Sequence, residues 1–180
     1  MSESFDPVGK EMNSSTAANE AWLRFAAEQG VRVSPEAFVD RSLGEFICNP
    51  SVRQLWDSVL NRVRSTNKPI TFSVRCDSPE CRRFMEIDVS PQDDGQLLFA
   101  NRLIREEPRT VPSALDPYSC RTEDIVVVCS VCSKIRTGEE TWMEAEGAVS
   151  TLGLMDRDVQ PVLSHGLCRS CLAQFEVEMT

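Results

Sequence analysis

Residues 70–103 read ITFSVRCDSPECRRFMEIDVSPQDDGQLLFANRL, and the spacing of their apolar positions decides the fold class. Ile70, Phe72, Val74 and Cys76 recur every second residue, as do Met85, Ile87 and Val89, and then Leu97 and Phe99, with Leu103 beyond. A period of two puts such residues on one face of a strand. The segments between them, Asp77-Ser78-Pro79 and Pro91-Gln92-Asp93-Asp94-Gly95, carry turn chemistry, so three antiparallel strands are the simplest reading.

Immediately upstream the period changes to that of a helix. Val52, Leu55, Trp56, Val59, Leu60 and Val63 repeat at three- and four-residue steps, opened by Asn49-Pro50-Ser51 and stopped by Asn67 and Pro69. Two shorter helices are expected before it. Asn19 stands as an N-cap ahead of Trp22, Phe25 and Ala26 with Gly30 as the stop, and Ser34-Pro35-Glu36 opens a second helix through Phe38. Residues 1–18 lack a regular apolar pattern and read as a flexible arm or a weak first strand. Helices followed by a meander give an α+β domain over 19–106, with its helices on one face of the sheet. Residues 107–120 read as a linker, because the stretch from Glu106 to Tyr118 holds three prolines and no period. A second unit is expected over 121–180.

Composition bounds the function. With 41% hydrophobic and 26% charged residues in 180, the chain has enough apolar material for one mid-sized domain or two small ones. Its net charge of −9 offers no general attraction to nucleic acid or anionic lipid, which points to protein or small-molecule partners. The opening MSESFDPVGK lacks an apolar run of signal-peptide length, and the longest aliphatic run, Ile125 to Val128, is too short to cross a bilayer. A cytoplasmic protein is expected.

In a reducing compartment the eight cysteines are thiols or metal ligands rather than disulfides. Four stand alone (Cys48, Cys76, Cys81, Cys120) and four are paired: IVVVCSVC ends in Cys129 and Cys132, and CRSC holds Cys168 and Cys171. A C-x2-C turn brings two sulfurs to one ion, and two such turns complete a closed tetrahedral zinc site. The 35 residues between the pairs do not prevent this, since loop closure costs only about 0.6 kcal/mol per doubling of length. Structural zinc contributes about 10–16 kcal/mol of apparent binding free energy. The loop has an order of its own, with Trp142, Ala145, Val149 and Leu152 near helical spacing in 140–152, and Leu172, Phe175 and Val177 continue a helix after CRSC. Four thiolates around zinc carry a formal charge of −2, which Lys134, Arg136 and Arg169 are near enough in sequence to offset. His165, the single histidine, sits three residues before Cys168; it can replace a cysteine as ligand, but beside four thiols a supporting hydrogen bond is the simpler role. A redox-active thiol pair and an iron or iron–sulfur centre are the other readings of the same sulfurs.

Elsewhere the signals are weaker. Cys76 and Cys81 flank the turn CDSPEC and form a possible secondary thiol pair, with ordinary half-buried thiols the simpler reading. Arg75, Arg82, Arg83, Arg102 and Arg105 either line a sheet face as an anion or partner site or pair locally with Glu86, Asp88 or Glu106. Trp22 and Trp56 read as core anchors. No phosphate-binding glycine loop, dinucleotide fingerprint or nucleophile elbow is present, and one histidine supports no Cys–His or Ser–His pair in the first domain.

The stretch CSVCSKIRTGEETWMEAEGAVSTLGL, continuing to SHGLCRSC, resembles a small cysteine module attached to PAS-type sensory domains of bacterial signalling proteins. The first domain, with NEAWLRFA, the helix at 50–65 and RCDSPECRRFMEI, resembles the PAS-like partner of that module over roughly residues 10–108. The resemblance implies a five-stranded antiparallel sheet with helices across one face, used in sensing or protein contact. Residues 70–106 would supply its last three strands. It leaves the ligand of a PAS cavity unassigned, and the placement of the single histidine in the cysteine module argues against a histidine-ligated haem in the first domain. The expected function is therefore a non-catalytic signalling or adaptor protein with a structural zinc module, acting through a protein partner or as a homodimer, with no nucleic-acid or membrane partner. A thiol-based redox sensor using the C-x2-C pairs comes second. A thiol–disulfide oxidoreductase comes last, because the first pair follows a strand and is matched by a second pair rather than opening a helix alone.

Overall fold

The structure, a computed structural model, describes residues 3–8, 41–47, 49–78, 80–110, 120–154 and 159–179, with isolated positions between 20 and 40. Its contacts divide the chain into two compact units that do not follow chain order. The first comprises residues 1–73, 85–104 and 178–180; the second comprises 74–84 and 105–177. The turn end of one β-hairpin therefore groups with the C-terminal half of the chain. Of the segment expected as a linker, Glu107 and Pro108 end a strand, Cys120 begins another, and 111–119 lie outside the described residues.

The first sheet has four strands: β1 (Glu3–Val8), β2 (Ile70–Arg75), β3 (Cys81–Pro91) and β4 (Leu97–Pro108), in the order β1-β4-β3-β2. Of residues 1–18, read as an arm or a weak first strand, 3–8 form β1 and the others lie outside the described residues. Strand β1 runs antiparallel to β4, with Phe5 opposite Phe99 and Val8 opposite Leu97. The register shifts between Phe5 and Pro7, where proline has no N–H to give the ladder. Helix α1 (Pro50–Thr66) begins as expected: the Asn49 side chain accepts hydrogen bonds from the Ser51 and Val52 N–H groups, and proline occupies the first turn. It stops at Asn67, whose φ of 52° is left-handed.

Helix α1 buries Val52, Val59, Leu60 and Val63, and the sheet buries Ile70, Phe72, Val89 and Leu97. Trp56 bridges the two layers, with its ring 5.9 Å from Phe72 edge-on and 5.8 Å from Phe99. It is the core anchor that its spacing implied. Leu103, expected on the same apolar face as Leu97 and Phe99, is instead 48% exposed, because the burial of β4 gives way to exposure after Asn101. Of the first expected helix, Glu20, Leu23, Arg24 and Ala27 are described and helical, while Trp22 and most of the two short helices lie outside the described residues. Ser42 caps the 3-10 turn Leu43–Glu45 through a reciprocal pair: its Oγ accepts from the Gly44 N–H and its own N–H donates to Glu45 Oε1.

The second unit is organised around β5 (Cys120–Cys129). Its sheet runs β7-β6-β5-β8, with β6 at Ile135–Arg136, β7 at Trp142–Met143 and β8 at Val159–Gly166. Strands β5 and β6 form an antiparallel hairpin, whereas β8 lies parallel to β5 with Val128 opposite His165 and Cys129 opposite Gly166. The helix expected over 140–152 is shorter than its spacing suggested. Trp142 and Met143 pair with Arg136 and Ile135 as β7, and helix α2 occupies only Ala145–Thr151. It ends at Gly153, φ 62°, the left-handed position that glycine fills without strain. Ala145 and Ala148 of α2 pack on Ile135, with Val126 and Val128 of β5 completing the cluster. Helix α3 (Arg169–Glu178) buries Phe175 but leaves Val177 and much of Leu172 exposed. No helix among the described residues is long and apolar enough to cross a membrane.

Candidate metal centre

Strand β5 ends at Cys129 and strand β8 ends at Gly166, and their parallel register places the two ends side by side. Each strand then runs into its C-x2-C. The chain after β5 turns through Cys129-Ser130-Val131-Cys132, and the chain after β8 reaches Cys168 and starts α3 one residue later. Parallel pairing therefore delivers both knuckles to one end of the sheet. The sulfurs of Cys129, Cys132, Cys168 and Cys171 all lie within 4.8 Å of one another, and Cys129, Cys168 and Cys171 are buried.

Backbone geometry fixes the sulfurs. The first knuckle is closed by the Cys129 N–H donating to the Lys134 carbonyl at 2.8 Å and the Ser133 N–H donating to the Cys129 carbonyl at 3.0 Å, with Ser133 at φ 58°. Ser130 N–H donates to the Gly166 carbonyl at 2.9 Å, tying the first knuckle to the end of β8. The Cys168 N–H points at the Cys129 sulfur and the Cys171 N–H at the Cys168 sulfur, both at 3.4 Å. The amide donor aimed at the Cys129 sulfur favours thiolate over thiol there.

The donor set fits a closed tetrahedral ion. Four sulfurs at about 2.3 Å from one zinc have S···S edges of about 3.8 Å, and the Cys132 and Cys168 sulfurs lie 3.8 Å apart. Soft thiolates select zinc, copper(I) or iron over magnesium and calcium. Proton sharing already polarises the group. By accepting hydrogen bonds from Cys132 and Cys171, Cys129 is held well below the ordinary thiol range; Cys132, donating to Cys129, is pushed up to about 11, and Cys171 is raised for the same reason.

The remaining expected site residues fall elsewhere. His165 is exposed on β8 opposite Val128 and is not one of the clustered ligand groups. Arg169 is exposed and pairs with Glu140 at 3.5 Å. Lys134 contributes its carbonyl to the knuckle, and Arg136, exposed, lines an open groove of about 430 Å³ with Ile125, Val127 and Leu152. Cys76 and Cys81 are free, half-buried thiols at the end of the β2–β3 hairpin; burial pushes the Cys76 thiol up, and the Cys76 N–H donates to the Arg83 carbonyl. Cys120 is an exposed free thiol, and Cys48 lies outside the described residues.

The arginines do not form an open anion site. Arg83 pairs with Glu106 at 2.8 Å, Arg105 with Glu107 at 2.6 Å, and Arg102 with Glu86, which are local pairs of the expected kind. Arg75 and Arg82 reach farther. Arg75 pairs with Asp77 and, at 2.7 Å, with Glu144, while Arg82 pairs with Glu146 at 2.7 Å. Arg109, only 4% exposed, pairs with Asp77 at 3.2 Å and donates to the Ser78 carbonyl. Burial opposes the charge on Arg75, but the Asp77 and Glu144 carboxylates outweigh it and hold the guanidinium firmly protonated. This cluster joins residues far apart in sequence, so spacing alone gave no sign of it.

Compared with protein-family profiles, with curated proteins and with solved structures, the chain matches none.

Proposed function

We propose that this chain is a non-catalytic signalling or docking protein in which a PAS-like first half is joined to a module stapled by one structural zinc ion. The observation that carries the reading is the set of four cysteine sulfurs within 4.8 Å, presented by two backbone-bonded knuckles. A closed set of four thiolates leaves no open position for substrate or activated water, which favours a structural over a catalytic ion. Zinc there cross-links β5, β8 and α3 and supplies no redox chemistry of its own. The PAS-like part of the proposal is supported by the motifs quoted above and by an α+β layer of one long helix on a strand meander.

A protein of this kind acts by association, with itself or with a sensor or regulator. Light scattering of the zinc-loaded chain across concentration, followed by capture from a bacterial lysate in moderate salt and identification of what is captured, tests this. A homodimer, or a captured sensor or regulator whose direct binding is reproduced with purified components, is the expected outcome. A strict monomer that captures nothing and turns over a small thiol or disulfide overturns the adaptor reading in favour of an oxidoreductase.

A further inference from the structure

The hairpin end 74–84 sits against the first knuckle. Arg75 donates its backbone N–H to the Val131 carbonyl at 2.7 Å, and Val131 lies between the two cysteines of that knuckle and is 7% exposed. Around this bond stand the ion pairs of Arg75 with Glu144 and of Arg82 with Glu146, both acids belonging to the start of α2. Within the hairpin end, Asp77 gathers Arg75, Arg109 and the Arg83 N–H, and the Arg109 N–H donates to the Glu80 carbonyl. The contacts are polar and directional. They need partners held in fixed positions, and an unmet buried charge is costly.

We propose that the four-cysteine centre is a metal-controlled latch on residues 74–84: the bound ion fixes the Val131 carbonyl and the start of α2, and its loss frees the hairpin end. This rests on the zinc reading and adds an output to it. Without an ion, the first knuckle is held by a few hydrogen bonds around a left-handed serine, and nothing covalent joins it to Cys168 and Cys171. The carbonyl that receives Arg75 then loses its fixed place, and the carboxylates facing Arg75 and Arg82 move with α2. Release exposes Arg75, Arg82 and Arg109 together, a cationic group on an otherwise acidic chain. Coupling is reciprocal: whatever the ion contributes to hairpin docking, docking contributes to ion affinity.

The test uses the full chain, with metal content measured on each sample. Amide hydrogen exchange is followed in zinc-loaded and chelated protein, and zinc affinity is measured by chelator competition for Arg75→Gln and for the milder Glu144→Gln. Chelation is expected to speed exchange at Arg75 and through 76–78 by at least tenfold while Val59 to Val63 of α1 stay protected. Both variants are expected to keep one zinc per chain but bind it about tenfold more weakly, an ordinary size for coupling between sites. Arg102→Gln, whose partner is Glu86 in the first unit, should leave affinity unchanged. If zinc binds and its removal loosens 129–132 and 168–171 without altering 74–78, the latch is overturned and the zinc centre stands. A chain that binds no metal overturns both.

Discussion

At the scale of the residue, the cysteines are unequal. Cys129 accepts hydrogen bonds from Cys132 and Cys171 and is lowered by them, while Cys132 and Cys171, which donate, are raised. Zinc must displace at least those two protons at neutral pH, because only thiolates ligate it. With both folded-state values raised, and Cys132 near 11, the protons remain to be displaced throughout the neutral range. Affinity should therefore climb with pH by at least about a hundredfold per unit between about pH 6.5 and 8, as chelator competition at fixed ionic strength will read. An affinity flat over that range contradicts the assignment. His165 lies outside the sulfur group. His165→Ala should retain one zinc per chain, whereas Cys168→Ala should lose it; equal loss in both would move the ligand set to three cysteines and a histidine.

At the scale of the element, the decisive feature is the parallel pairing of β5 and β8. Gly166 belongs to it: a Cβ there would lie 3.0 Å from Val127 Cγ1, so a side chain fits only if Val127 gives way by a few tenths of an ångström. Gly166→Ala should destabilise the zinc-loaded protein by about 1–3 kcal/mol, and adding Val127→Ala should recover part of the loss. Thermal unfolding of the two variants checks this, and a Gly166→Ala loss that Val127→Ala does not relieve contradicts the crowding against Val127. The elements legible in the sequence were those with local signals. Asn49, Pro50 and Asn67 bounded α1, and alternation located β2, β3 and the start of β4, because caps, turns and burial all act over a few residues. Strand β8 was not legible. VQPVLSHG carries a proline and a histidine and no clean alternation, and only its pairing with Cys120–Cys129 makes it a strand. Trp142 misled for a related reason: its spacing from Ala145 and Val149 is helical, but pairing with Arg136 sets it in β7. The Ser42–Glu45 capping pair was available in the sequence as S-x-x-E, but it lies outside any long apolar period.

At the scale of the whole molecule, the division of the chain is tertiary information. The β2–β3 hairpin spans both units: its body packs with α1 and its turn end carries the arginines that meet Glu144 and Glu146. No composition shift marks such a boundary, because residues 73 and 74, like 84 and 85, are consecutive within single strands. The meeting of the four cysteines, by contrast, was legible, since two C-x2-C turns need only that the intervening chain close to come together. Whether the four sulfurs hold an ion is therefore the central property of the molecule. Elemental analysis of the purified, untagged full chain, with a parallel count of reactive thiols before and after chelation, measures it most directly. The prediction is one zinc per chain with four thiols protected until the metal is removed; well under one zinc, with Cys129, Cys132, Cys168 and Cys171 reactive in the native protein, would contradict it.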